Sequence, residues 1–385
     1  GLAWLVMELT GERFVHKHGI VLEPGQPVTD YGDITLAAGG AILGVTLGCL
    51  ISVIYLHVKY RGAGSALADA AGTPKSGRAT MKELLSIAVP ITLGSAGLQI
   101  INLFDTMIYM RRLELGLGWS VEMAENLKGV YNYQQTIFAL PCAFIPTITI
   151  ACIPAITAAL TRRELDNVRA TEESAIRTMA LVAMPCAAGL FAMAEPVIRL
   201  LCTSYTPEQL AVATKMLMIL GVAVIFNSLV LLFNAFMQAH GDVTSPVINM
   251  FIGGIVKIAV NYVLVGIPEI NIVGAPVGTL VCYVVITVLN YFALRRCVKG
   301  NLPIFRNLIR PLIASAIMGA GTFMVYRVLR TLLPSGRLAC LAALLFAVCL
   351  YLILAVALRC ITYEDCMLLP KGEKIAKILR IREKN

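Results

Sequence analysis

Long, unbroken apolar runs constrain this chain more than any other feature. Nine of them lie near residues 34–56, 84–110, 129–160, 178–202, 212–237, 246–267, 272–294, 309–330 and 338–358. Each reaches the roughly 20 residues that a helix needs to cross a hydrocarbon core about 30 Å thick. In lipid every backbone N–H and C=O must find its partner within the protein, which only helices and closed barrels achieve. The runs are continuous and lack the alternation of a lipid-facing barrel strand. The expectation is an all-α polytopic membrane protein. Composition agrees, with 58% hydrophobic and 14% charged residues, against about 25% charged in soluble domains.

Polar side chains inside such runs are expensive and must face something other than lipid. Residues 246–267 carry Asn249, Gly253, Lys257 and Asn261 at four-residue spacing, which sets them on one stripe of a helix. The next run repeats the theme with Thr279, Tyr283 and Thr287. Residues 84–110 hold Ser95, Gln99, Asn102, Asp105, Thr106 and Tyr109, and residues 212–237 hold Asn227 and Asn234. A water-filled or substrate-filled cavity between helices is the expected object of these stripes. The candidate cavity residues are Lys257, Asn261, Asn249, Asn102, Gln99, Asp105, Arg111, Asn227, Asn234 and Tyr283. Pro90 marks a hinge in its run, and Pro141, Pro146 and Pro154 should bend the overlong run 129–160.

Charge is distributed in alternation. Basic residues gather in 57–82, 161–177, 295–310 and after Leu358, whereas 203–211 and 266–273 have none. By the positive-inside rule this puts 57–82, 161–177, 239–245, 295–308 and the C-terminus in the cytoplasm. A nucleic-acid partner would need the net charge of +9 gathered on one soluble face, so none is expected. The 11 cysteines are scattered without a C-x-x-C pair, which implies neither a metal nor a disulfide framework. Nothing implies a cofactor. No nucleophile–base pair or paired acids share a run, so an intramembrane enzyme is rejected. The apolar start Gly1–Met7 reads as the tail of a further span, and the chain is expected to begin inside a helix of a longer protein.

Four segments then carry a family resemblance: MPCAAGLFAMAEPVIRLL, NAFMQAHGDVTSPVINMFIGGIVKIAVNYVLV, VGAPVGTLVCYVV and LLPKGEKIAKIL. From about residue 34 onward the chain resembles the stage V sporulation protein B group of the multidrug/oligosaccharidyl-lipid/polysaccharide exporter superfamily. The resemblance implies a MATE-like helical bundle: two six-helix lobes around a cavity, then two extra helices. Mapped on that plan, 1–57 is a remnant of the first lobe, 58–82 a cytoplasmic linker and 83–297 the second six-helix lobe. Residues 298–360 are the two additional helices and 361–385 a basic cytoplasmic tail. The implied function is a flippase for lipid-linked oligosaccharide or peptidoglycan precursors in the bacterial cytoplasmic membrane, working by alternating access. Its implied partners are the lipid-linked saccharide, the bilayer and the N-terminal lobe of the same protein. The alternative is a multidrug exporter of the same fold.

Individual residues keep two readings. Lys257 contacts an anionic substrate, or it pairs with an acid of the first lobe. Asp105 couples a cation or proton, or it bonds Arg112 or solvent. Arg111 and Arg112 capture an anion outside, or Glu114, Glu122 and Glu125 neutralise them. Glu195 and Arg199, one turn apart, form a structural ion pair. Gln238, His240 and Asp242 serve turn chemistry or gating. The segment 371–382 lies on an anionic leaflet or is a solvated tail.

Overall fold

The computed structural model describes residues 31–62, 76–202, 205–298, 303–333 and 335–360, and all their regular structure is helical. Residues 8–30, most of the linker and the tail 371–382 lie outside the described residues. The chain divides after Leu85 into two units. The first holds α1 (Tyr31–Gly62) and the opening turns of α2 (Gly77–Arg111). In α1 a continuous apolar surface, Leu47, Leu50, Ile51, Val53, Ile54 and Leu56 among it, is exposed.

The second unit holds the rest of α2, a π-helical turn (Arg112–Gly116), α3 (Val121–Cys142), α4 (Ile145–Thr161) and α5 (Leu165–Ala192). There follow α6 (Ala194–Leu201), α7 (Pro207–Ala239), α8 (Thr244–Val265), α9 (Gly274–Cys297), α10 (Ile304–Leu332) and α11 (Gly336–Ala357). Among the described residues, seven helical stretches are long and apolar enough to cross a membrane, from Val121–Thr161 to Gly336–Ala357. The expected spans 34–56 and 84–110 fall on α1 and α2.

Proline explains where the helices break. The overlong run 129–160 divides into α3 and α4 at Ala143–Phe144. Pro146 cannot donate to the carbonyl of Cys142, and its ring crowds that turn. Pro196 acts likewise on Ala192, which ends α5 and starts α6 after Met193. The expected span 178–202 is thus corrected: the helix begins earlier, at Leu165, and carries Arg169 and Arg177 of the basic segment 161–177 in its first turns. Arg169 there pairs with Glu173 at 3.2 Å.

The bundle is built around α7, which packs against α3, α4, α5, α6 and α9. Its N-terminus is closed by a capping box, with Thr206 accepting from the Gln209 N–H and the Gln209 side chain accepting from the Thr206 N–H. Two apolar clusters meet along it. One contains Ile156, Ile176, Met179, Leu220, Leu232, Phe233 and Phe236, the other Leu113, Tyr131, Ile198, Met216, Leu217 and Ile272. Lipid tails are as apolar as these side chains, so close packing rather than water release favours the contact.

At the turn between α7 and α8, Gly241 takes a left-handed φ of 88°. The Asp242 carboxylate accepts from the backbone N–H groups of Thr244 (3.2 Å) and Ser245 (3.0 Å). Bonding from the Ser245 side chain, then its backbone, holds Asp242 below the usual carboxylate range. This is the turn chemistry expected there. His240 does something else: its Nε2 lies 2.9 Å from Glu172 Oε1 on α5, with Glu172 only 1% exposed. Removing His240 leaves a buried carboxylate alone, for which about 3–5 kcal/mol is typical. His240→Ala should therefore lower the melting temperature of the purified protein clearly. Adding Glu172→Gln should restore part of it; a double variant as unstable as the sum of the singles would show that the two residues do not interact.

Candidate functional site

The stripe on α8 resolves into specific contacts. Lys257 stands thirteen residues after Thr244 and eight before Val265, the bounds of α8. At about 1.5 Å per residue it is roughly 20 Å from one end and 12 Å from the other, which is membrane depth. Its Nζ lies 3.0 Å from Oδ2 of Asp105 on α2. The other oxygen, Oδ1, accepts from Asn261 Nδ2 at 2.6 Å. Asp105 is 3% exposed and Asn261 fully buried. Both carboxylate oxygens are thus engaged, one by a cation and one by an amide donor. A charge-assisted arrangement of this kind is what lets an acid and a base persist out of water.

The cluster continues into α9 and α3. The Oδ1 of Asn261 faces Gly278, where an added Cβ would sit 1.9 Å from it, so only glycine fits. Oδ1 itself accepts no hydrogen bond. Next to Gly278, the Thr279 hydroxyl meets Tyr131 Oη at 3.1 Å, and Gln135 donates to the same phenol oxygen. Tyr109 closes edge-on against Tyr131, with ring centroids 6.3 Å apart. Four helices thereby meet at one polar knot.

Further along α8, Asn249 donates to Asn290 of α9 at 2.9 Å, and Asn290 donates to Asn234 of α7 at 2.8 Å. The Asn234 amide ends on the Met250 sulfur at 3.8 Å. Between the knot and this amide chain lies Gly253, where a Cβ would come within 2.3 Å of Ile286. The absence of a side chain lets α9 close onto α8.

The stripe is therefore a helix–helix seam over most of its length, not the open wetted wall expected from spacing. The acid paired with Lys257 is Asp105 of α2, within this chain. Asp105 does not bond Arg112, whose guanidinium stacks on Tyr262 4.4 Å from the ring centroid. Of the other candidates, Gln99, Asn102 and Arg111 are exposed. Asn227 is half-buried on α7 within reach of the Cys142 thiol. Tyr283 stacks on Phe138 with centroids 6.1 Å apart. Glu195 and Arg199 form their expected ion pair at 2.8 Å. Sequence reasoning missed Tyr131, Asn290 and the His240–Glu172 pair. Asn290 continues the series Thr279, Tyr283, Thr287 by one more turn, and extending that stripe would have found it.

Among the described residues the helices form a polytopic membrane bundle with a charged pair and an amide chain at its interior. The chain belongs to the family described as Lipid II flippase MurJ, which it matches over residues 24–353. It is 29% identical over 311 residues to the uncharacterized membrane protein YabM of Bacillus subtilis (strain 168), covering 79% of this chain and 56% of that protein. It is 26% identical over 263 residues to stage V sporulation protein B of the same organism, covering 68% and 49%. The chain thus spans about half the length of the curated relatives it matches. Its fold is that of the lipid II flippase MurJ in an inward closed conformation, with a TM-score of 0.62 at 14% identity, covering 95% of this chain and 67% of that one. The helical bundle expected from the sequence is the one observed.

The charged pair makes a stability signature. Lys257→Gln leaves Asp105 buried beside an amide, and Asp105→Asn leaves Lys257 without its counter-ion, each costing about 3–5 kcal/mol by analogy with broken buried pairs. Both single variants should melt well below the parent, and the double variant should recover much of the loss. A Lys257→Gln protein with an unchanged melting temperature would show that the pair holds nothing together.

Proposed function

We propose that this chain is the second lobe and the two following helices of a flippase. Its cargo is a lipid-linked saccharide precursor of cell wall or surface polysaccharide, moved across the bacterial cytoplasmic membrane. The observation that carries this reading is membership of the MurJ family across nearly the whole described bundle. Alternating access proceeds by rocking one lobe against another; this chain spans about half the length of its relatives, and its lobe works against a second one. The C-terminus is cytoplasmic in this reading, following the alternation of basic loops.

Lys257 is the residue assigned to the anionic part of the cargo. An ammonium carries three donors, and Asp105 takes one of them. The side chain is 14% exposed, which leaves the pair reachable from one side. In this arrangement Asp105 holds Lys257 charged and positioned, while an incoming pyrophosphate or acidic sugar competes for it. The alternative of a multidrug cation exporter needs a free carboxylate at depth. Asp105 does not supply one, because both its oxygens are already engaged.

Transport of a lipid-linked precursor into vesicles, measured with a version of family length, tests the role of Lys257. Lys257→Gln should reduce flipping per molecule of protein by more than its lowered stability accounts for, and Lys257→Arg should retain part of it. Normal transport by Lys257→Gln removes the substrate role. Loss of protein together with transport, both restored by adding Asp105→Asn, assigns Lys257 to structure alone.

Sidedness has its own measurement. Single cysteines at positions 75 and 303, in a background lacking the others, should react with an impermeant reagent only from the cytoplasmic side. One at 206 should react only from outside. Equal labelling of 75 and 206 from outside would overturn the topology.

A further inference from the structure

A second polar feature of the bundle is separate from the Lys257 cluster, and it lies at the membrane surface. A cleft of about 680 Å³ runs between the end of α2 and α8. Its walls are aliphatic, formed by Ile108, Leu115, Ile255, Ala259 and Val263, and Arg111 and Arg112 stand at one end. Tyr262 is three residues from the end of α8, which is about one turn, so this end sits where aromatic side chains meet the headgroups.

Arg112 is built into place. Its Nε donates to the Tyr262 carbonyl oxygen at 3.2 Å, and its guanidinium carbon lies 4.4 Å from the centroid of the Tyr262 ring. On its far side is Gly266, where a Cβ would come within 2.6 Å of Nη2, and Gly116 lies close to Nη1. These contacts fix the guanidinium without neutralising it. Neutralisation by Glu114, Glu122 and Glu125 is one of two readings for these arginines, yet among the described residues no carboxylate lies within ion-pair distance of Arg111 or Arg112.

Two adjacent, uncompensated arginines over an aliphatic trough match the two halves of an amphiphile. We propose that this cleft binds one anionic glycerophospholipid, with its phosphate on Arg111 and Arg112 and an acyl chain along α8. Arginine forks suit phosphate oxygens, and the wall from Val263 to Ile255 descends roughly 12 Å into the core along α8. Free phosphate would use the arginines but not the wall, and a zwitterionic lipid would use the wall with less of the charge. The site adds a lipid requirement to the transporter and does not depend on which cargo is moved.

The 385-residue chain, purified in a neutral detergent, can be titrated with phosphatidylglycerol and followed by native mass spectrometry. Phosphatidylcholine with the same acyl chains serves as the comparison. Phosphatidylglycerol should bind more tightly. The double variant Arg111→Gln/Arg112→Gln should lose that preference, at about fivefold in affinity for each arginine. Arg327→Gln/Arg330→Gln, which removes the same charge from an exposed stretch of α10, should bind as the parent does. An excess of glycerol phosphate or inorganic phosphate should not displace the lipid. Equal binding of the two lipids, an unaffected arginine double variant, an equal loss in the α10 control or displacement by free phosphate would each overturn the proposal. Should the double variant prove unstable, Arg111→Gln alone, exposed and outside the contacts that hold Arg112, must still show the loss of about fivefold.

Discussion

A charge placed at the middle of a bilayer must be answered from within the protein, and the ion pair between Lys257 and Asp105 answers it here. The two residues are 152 positions apart in sequence and 3.0 Å apart in space. Lys257 cannot easily snorkel to either surface, since about two turns of α8 lie on one side of it and more than three on the other. Their pairing therefore dictates how α2 approaches α8. Asn261 then takes the second oxygen of Asp105 and, through its tight fit over Gly278, sets the distance between α8 and α9. The Thr279–Tyr131 contact brings in α3. One buried acid thus specifies the register of a large part of the bundle.

Away from that knot the membrane supplies little incentive for helices to associate, and the sequence compensates in two ways. Absent side chains permit close approach, as Gly253 does beneath Ile286. Amides bridge helices that would otherwise slide, as in the chain from Asn249 through Asn290 to Asn234. Such bonds are worth about 0.6–2 kcal/mol each in membranes, less than the buried ion pair but repeated across three helices. Their directionality matters as much as their strength, because an apolar seam alone tolerates many rotations.

The ends of the helices follow different physics. At the α7–α8 turn, His240 hydrogen-bonds the nearly inaccessible Glu172, so the join between α5 and α7 is polar as well as apolar. At the end of α2, Arg112 is held by a ring and a carbonyl, partners that orient it while leaving its charge in place. The contrast between the two sites is chemical. At one a ring nitrogen meets a carboxylate, at the other a carbonyl and an aromatic face direct a guanidinium without cancelling its charge.

The helical class was legible in the sequence because hydrocarbon forbids an unsatisfied backbone, so an apolar run of sufficient length has almost no other form. The breaks near Cys142 and Ala192 were legible in principle from Pro146 and Pro196, since proline acts on the turn directly before it; only the first was anticipated. The polar stripe on α8 was legible as a stripe, because four-residue spacing is a property of one helix. What it faces was not, since spacing fixes an angle around an axis and says nothing of what lies across it. Only the tertiary structure decided that Asn249 meets Asn290, that Lys257 meets Asp105 rather than an acid elsewhere, and that among the described residues no carboxylate comes within ion-pair distance of Arg111 or Arg112. Those outcomes depend on contacts between positions tens to more than a hundred residues apart, and they are settled by how helices pack, which no single helix encodes.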